Sequence, residues 1–280
     1  MHPSSSSSFP SSLRLALRVV APLAGSLAVA GCMADRAAPS DAGPPPVDAP
    51  MIATDAPSTV PVDAPIALPG VAPLATNEAH FGHTHAELAA LWWQWVFGLP
   101  RDHHPLFDTT GEDCAVGQSE GVFFLAGTFG GPASRECTVP AGQPLFFPLV
   151  NNSVDNGVYP PEERYTDAEQ LEYITAWADG IDEMTLEIDG TTWTTEMLRA
   201  YRAAARYSYD LSDTRPNLYD TRGVDYAGEI DPAFTDGYWI YLPPLSPGAH
   251  HIHFTGSEAG DEALDIRPFS LDVEYDLTVL

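Results

Sequence analysis

Histidine is the residue type in this chain whose placement suggests chemistry. Apart from His2, all of the histidines fall into three groups: His80, His83 and His85; His103 and His104; and His250, His251 and His253. If His251 and His253 lie on a strand, the two-residue period puts both rings on one face, about 7 Å apart, opposite Ile252 and Phe254. Two imidazoles so placed can share a divalent metal such as zinc, and His83 or His85 from the first group would complete a three-ligand site with an open position. The competing reading is structural, because solvent-facing strand histidines need no ligand and no full metal-binding signature such as H-E-x-x-H is present.

Other chemistry-bearing patterns are weaker. Gly117-Gln118-Ser119-Glu120-Gly121 matches the G-x-S-x-G nucleophile elbow in letters. The elbow needs a strand before the serine and a helix after it, whereas a cysteine-bearing loop precedes this one and a β run follows, so it reads as a turn. Oxygen-rich stretches at 151–157 and 208–236 carry the ligand type calcium prefers, without the EF-hand spacing, and a solvated acidic face is the plainer reading. Aromatic residues give a third possibility: Trp239 and Tyr241, among six Trp and eleven Tyr, could supply flat platforms with polar handles for a glycan or small ligand. The plainer reading is that large aromatics at regular spacing form core.

The elements that would position these residues can be read from periodicity. Thr84 and Glu87 form a capping box ahead of Leu88, Leu91, Trp92, Trp95 and Val96, the spacing of a helix face that should end near Gly98. Trp93 and Phe97 fall off that face, which implies cover on more than one side. A second capping box, Thr166 to Glu169, opens a helix that should end at Gly180. Short apolar runs at 122–125 and 145–147 read as buried strands, and Thr185 to Trp193 reads as a hairpin about Asp189-Gly190. The alternating segments 238–242, 251–254 and 271–280 follow, while 195–206 fits helix and strand equally. The expected fold is therefore α+β, mainly antiparallel β, a β-sandwich-like domain with two or three helices spanning 76–280.

Composition bounds the rest. The 39 Asp and Glu against 12 Arg, with no Lys, give a net charge of −27, which excludes a nucleic-acid partner because no cationic cluster exists to displace counterions. Residues 33–75 hold ten Pro and five Asp but no aromatic residue, and Asp-Ala-Pro recurs at 48–50, 55–57 and 63–65. Residues 32–75 are thus expected to be a disordered Pro/Ala/Asp-rich linker, reaching up to about 130 Å if extended.

At the front, Arg14 and Arg18 precede the apolar stretch 19–30, too short to span a bilayer and of the length of an export signal. It ends in Val29-Ala30-Gly31-Cys32, which resembles the lipobox of bacterial lipoproteins. The resemblance implies a signal peptide over 1–31, acylation of Cys32, and partnership with a membrane through the attached lipid. Met33 rather than Asp after the cysteine goes with release to the outer membrane of a Gram-negative bacterium. In such a compartment the remaining Cys114 and Cys137, which flank the 122–128 run, are expected to form a disulfide closing a hairpin, worth about 3–4 kcal/mol on a loop-entropy model. The alternative is a metal-bound or catalytic thiol.

Segments from Trp92-Trp93-Gln94-Trp95 through Asp108-Thr109-Thr110-Gly111, Cys137-Thr138-Val139-Pro140 and Asp236-Gly237-Tyr238-Trp239 to His251-Ile252-His253-Phe254 look like a group of secreted bacterial proteins of unassigned activity. The late segment also resembles the closing hairpin of immunoglobulin-like sandwiches. Neither likeness implies a mechanism. The expected role is a non-enzymatic ligand-binding or surface protein of the cell envelope, and the alternative is a metal-dependent hydrolase or oxidase built on His83, His85, His251 and His253. Mass spectrometry of the native protein is expected to find a chain that starts at a fatty-acylated Cys32; finding residues 1–31 still attached would overturn the export reading.

Overall fold

The computed structural model describes residues 71–280 except Glu120 and Val158; the signal segment, Cys32 and all but the last five residues of the linker lie outside the described residues. The described chain is α+β, with two mostly antiparallel sheets packed as a sandwich and three helices. One sheet has the order β1 (Phe123–Phe124), β3 (Leu145–Asp155), β7 (Gly228–Leu242), β6 (Arg202–Leu211). The other has the order β2 (Gly131–Val139), β9 (Phe269–Val279), β8 (Gly248–Glu258), β4 (Ile181–Ile188), β5 (Thr191–Thr194). Two pairings are parallel, β1 with β3 and β2 with β9.

Both capping boxes form. Helix α1 (His85–Gly98) starts at Thr84, and helix α2 (Asp167–Asp179) starts at Thr166 and stops at Gly180. The ambiguous stretch divides: a short α3 (Thr195–Leu198) and a 3₁₀ turn lead into β6. The Asp189-Gly190 hairpin also forms, with both residues at positive φ (48° and 80°), as a type I′ turn requires.

The four-stranded sheet is buried on both faces along Leu145–Val150 of β3 and Ala233–Leu242 of β7. Phe147, Ile240 and Leu242 point to the other sheet, where Phe147 meets Phe254 at 5.3 Å. On the opposite face Phe146 stacks on Trp239 at 5.5 Å, and α1 covers them, with Trp92 5.6 Å from Trp239. Trp93 and Phe97 are buried as well, so the helix is enclosed on several sides. Its three tryptophans each donate an indole N–H to a different segment: Trp92 to the Leu125 carbonyl, Trp93 to the Thr235 hydroxyl and Trp95 to the Val116 carbonyl.

Cys114 and Cys137 are bonded. The bond does not close a hairpin, because β1 and β2 belong to different sheets; it fastens the loop before β1 to β2, an edge strand. Gly111 lies against the same edge: a Cβ there would come within 2.0 Å of the Glu136 carbonyl oxygen. The Asp108 carboxylate shapes this loop by accepting from the amides of Thr110, Gly111 and Asp113. Partial burial pushes its pKa up, but these bonds outweigh that and hold it below the ordinary aspartate value.

Beneath the loop lies Arg135, only 1% exposed. Its guanidinium donates to the carbonyls of Asp108 (2.8 Å), Ala126 (2.6 Å) and Gly127 (3.0 Å) and to the Tyr275 hydroxyl (2.7 Å), with its carbon 5.2 Å from the Tyr275 ring centre. Replacing Arg135 with Leu strands these acceptors and is expected to cost about 3 kcal/mol or more in chemical denaturation, with Lys failing to restore it for want of the planar fork. A Leu or Lys variant as stable as the parent would contradict this account.

Candidate functional site

The outer face of the five-stranded sheet is a polar surface whose side chains are set by a regular pattern. Along β9 the residues at 271, 273, 275, 277 and 279 are buried and those between them are exposed; β2 alternates in the same way. Because the strands pair in register, the polar sets line up on one side. Ser134, Glu274 and His253 form one row across β2, β9 and β8, and Glu136, Asp276 and His251 form the next.

His251 and His253 lie on that face as the two-residue period requires, with Ile252 and Phe254 fully buried behind them. Each is engaged by a different carboxylate of β9: His251 Nδ1 is 2.9 Å from Asp276, and His253 Nε2 is 2.8 Å from Asp272. His250 points elsewhere. Its Nδ1 lies 2.7 Å from Asp189 and its Nε2 2.8 Å from the Ser246 carbonyl, which pins the start of β8 to the β4–β5 turn. Burial lowers the His250 pKa, but the Asp189 and Ser246 bonds outweigh it and raise the value above that of a free histidine.

A shallow hollow of about 400 Å³ opens on this face near His253. Thr255, Ser257 and Ser270 supply hydroxyls to it, and Glu183 and Asp272 stand on either side. Two of these hydroxyls are tied to neighbours on β4: Ser257 donates to Asp182 at 2.7 Å, and the Thr185 and Thr255 hydroxyls are 2.7 Å apart. Such an array of donors and acceptors suits a ligand rich in hydroxyl groups.

The other metal candidates are in a different layer. His85 is packed against Phe146 and Tyr241 on the α1-covered face of the four-stranded sheet, so both sheets separate it from His251 and His253. His83, half-buried, pairs by its backbone with His80. Among the described residues, no three His, Cys, Asp or Glu side chains converge where an ion could sit. The alternative of a metal centre built on His83, His85, His251 and His253 is therefore corrected: strand period aligns His251 with His253, but the α1 layer carries the other pair away. Trp239 and Tyr241 are also placed differently from an open platform, being 0% and 4% exposed because α1 and the segment before it lie over them. In the oxygen-rich loop at 151–157, Asp155 accepts from the hydroxyls of Tyr209 and Tyr219.

Sequence reasoning missed Glu183, Ser257, Ser270 and Asp272. For Ser257, Ser270 and Asp272 the signal was the alternation itself, since polar residues that alternate with buried ones on β8 and β9 face outward; Glu183 sits at a register shift of β4, where alternation gives no signal. No protein-family model and no curated protein matches the chain.

One group in the α1 layer makes stability depend on pH. Burial, and secondarily the nearby His80, pull His85 down to about 4 from an ordinary 6.5. The fold thus favours the neutral ring: its contribution is complete above pH 6.5, declines as pH falls, and is fully lost below pH 4. The loss approaches about 3 kcal/mol. Urea unfolding between pH 7 and 4 should show this decline, and His85→Leu should flatten it; an equally steep decline in the variant would assign it to other groups.

Proposed function

We propose that the protein is a lipid-anchored component of the bacterial cell envelope, held to the outer membrane through Cys32, whose domain binds a ligand on the outer face of its five-stranded sheet. The observation that carries the binding reading is the polar face itself, which no described element covers. Its hydroxyls and carboxylates are presented by rigid strands, whose geometry positions ligand-binding groups more closely than loops do. The ligand class that fits is a hydroxyl-rich one, a glycan of the cell surface, because Thr255, Ser257 and Ser270 can exchange their present bonds for bonds to sugar hydroxyls, and Glu183 and Asp272 can accept from them.

Binding without turnover is the reading favoured by the open setting. Electrostatic catalysis depends on a water-excluded site, and here His251 and His253 lie on a surface where solvent screens their interactions with Asp276 and Asp272. The Cys114–Cys137 disulfide supports an oxidising compartment, which accords with export.

The test is retention of the mature protein on isolated cell-wall glycan. The parent should be retained, and Glu183→Gln together with Asp272→Asn should weaken retention by about tenfold or more, since a hydrogen bond to a charged group is worth about 1.5–3 kcal/mol. No retention of the parent, or equal retention of the double variant, would overturn the assignment of this face.

A further inference from the structure

We propose that residues 71–84 form an acid-released strap: protonation of the buried His85 ring frees this segment locally and uncovers Tyr241, while the sheets under it stay folded. The device lies on the α1 side of the domain and does not rest on the glycan reading.

His85, the first residue of α1, is 1% exposed, and neither of its ring nitrogens has a hydrogen-bond partner. It lies against Phe146 and Tyr241, and His80 of the strap is the third ring on it, edge-on with centres 5.5 Å apart. A neutral imidazole in this place strands one donor and one acceptor, whereas a protonated one strands two donors and a charge. The start of a helix adds to that penalty, because its dipole disfavours positive charge. Burial foremost, and then His80, pull the His85 pKa down to about 4.

Among the described residues no counter-charge meets this ring. Glu78, on the strap, is exposed, and His83 is half-buried. Glu87, in the first turn of α1, is turned back to the amide and hydroxyl of Thr84, and those bonds hold its pKa below the ordinary glutamate value. Burial raises the pKa of Tyr241, which is therefore uncharged in acid. A charged His85 gains solvation only by reaching water, and the strap is what stands in the way.

The strap is lightly held. The Leu74 amide donates to the Tyr241 carbonyl at 2.9 Å, the Tyr201 hydroxyl to the Pro73 carbonyl at 3.3 Å and the Thr76 hydroxyl to the Ala200 carbonyl at 3.2 Å. Its apolar contacts include the partly buried Val71 and Leu74, and His80 stacks on Tyr241 at 4.7 Å. None of these tethers belongs to a strand ladder, and weakly tethered segments are the ones that open below the global unfolding free energy. The closed strap also turns at Phe81 and Gly82, at φ of 54° and 85°. Phe81 is an exposed bulky residue in a left-handed conformation, a strain that opening relieves.

The test is amide hydrogen exchange of the mature protein between pH 7 and 4.5, read residue by residue and corrected for intrinsic rates. If opening returns His85 from about 4 to an ordinary 6.5, protection of the Leu74 amide should fall by about 50-fold over this range. At each pH it should also stay at least about tenfold below that of the ladder amides of β3 and β7, the mark of local opening. His85→Leu should make Leu74 protection independent of pH. If that variant fails to fold, the pH dependence and the gap from the ladder amides in the parent protein decide. Leu74 protection that ignores pH, or that equals that of the ladder amides, would overturn the proposal, as would an undiminished acid response in His85→Leu, which would pass the role to His80 or His83.

Discussion

A buried guanidinium organises the part of the domain where the two sheets are tied together. Arg135 belongs to β2, yet its donors end on the loop at Asp108, on the segment leaving β1 at Ala126 and Gly127, and on Tyr275 of the adjacent strand. Taking such a charge out of water is expensive unless its donors are met, so these acceptors must arrive together. This requirement links the crossing from the first sheet to the second with the parallel docking of β2 on β9. The disulfide and the close approach of Gly111 to Glu136 act on the same edge. That leaves one flank of β2 covered and its outward side chains free.

The same economy of cations shapes the surface. With no Lys and few Arg, several guanidiniums are committed to internal bonds. Arg202 grips Asp236 with two bonds, at 2.9 and 2.7 Å, and reaches the Thr175 carbonyl of α2; Arg199 reaches the Tyr238 hydroxyl and the Ile181 carbonyl. The strands of the outer face present carboxylates, hydroxyls and two histidines, with Arg135 turned inward. That face is therefore acidic because the cations that could neutralise it serve as internal fasteners.

The two sides of the domain treat histidine in opposite ways. On the outer face His251 and His253 keep carboxylate partners and access to water. Under the strap His85 is held neutral among aromatic rings with its nitrogens unmet. One side leaves its rings at the surface and the other encloses one, and the thickness of the sandwich keeps the two apart.

The sequence alone determined the elements whose signals are local. Thr84 with Glu87 and Thr166 with Glu169 set two helix starts, because a capping box satisfies amides within one turn. Asp189-Gly190 set a hairpin, because few residue pairs tolerate positive φ at both positions. The faces of His251 and His253 were legible too, since strand period fixes side-chain direction. Only the tertiary structure decided what those residues meet. It placed the strand containing Cys137 in a different sheet from Phe123, gave His251 and His253 carboxylate partners from β9, and laid α1 over Trp239, Tyr241 and His85. Those outcomes depend on which strands become neighbours across long stretches of chain, and hydrophobic periodicity, which reports the face of each element, carries no record of its partner.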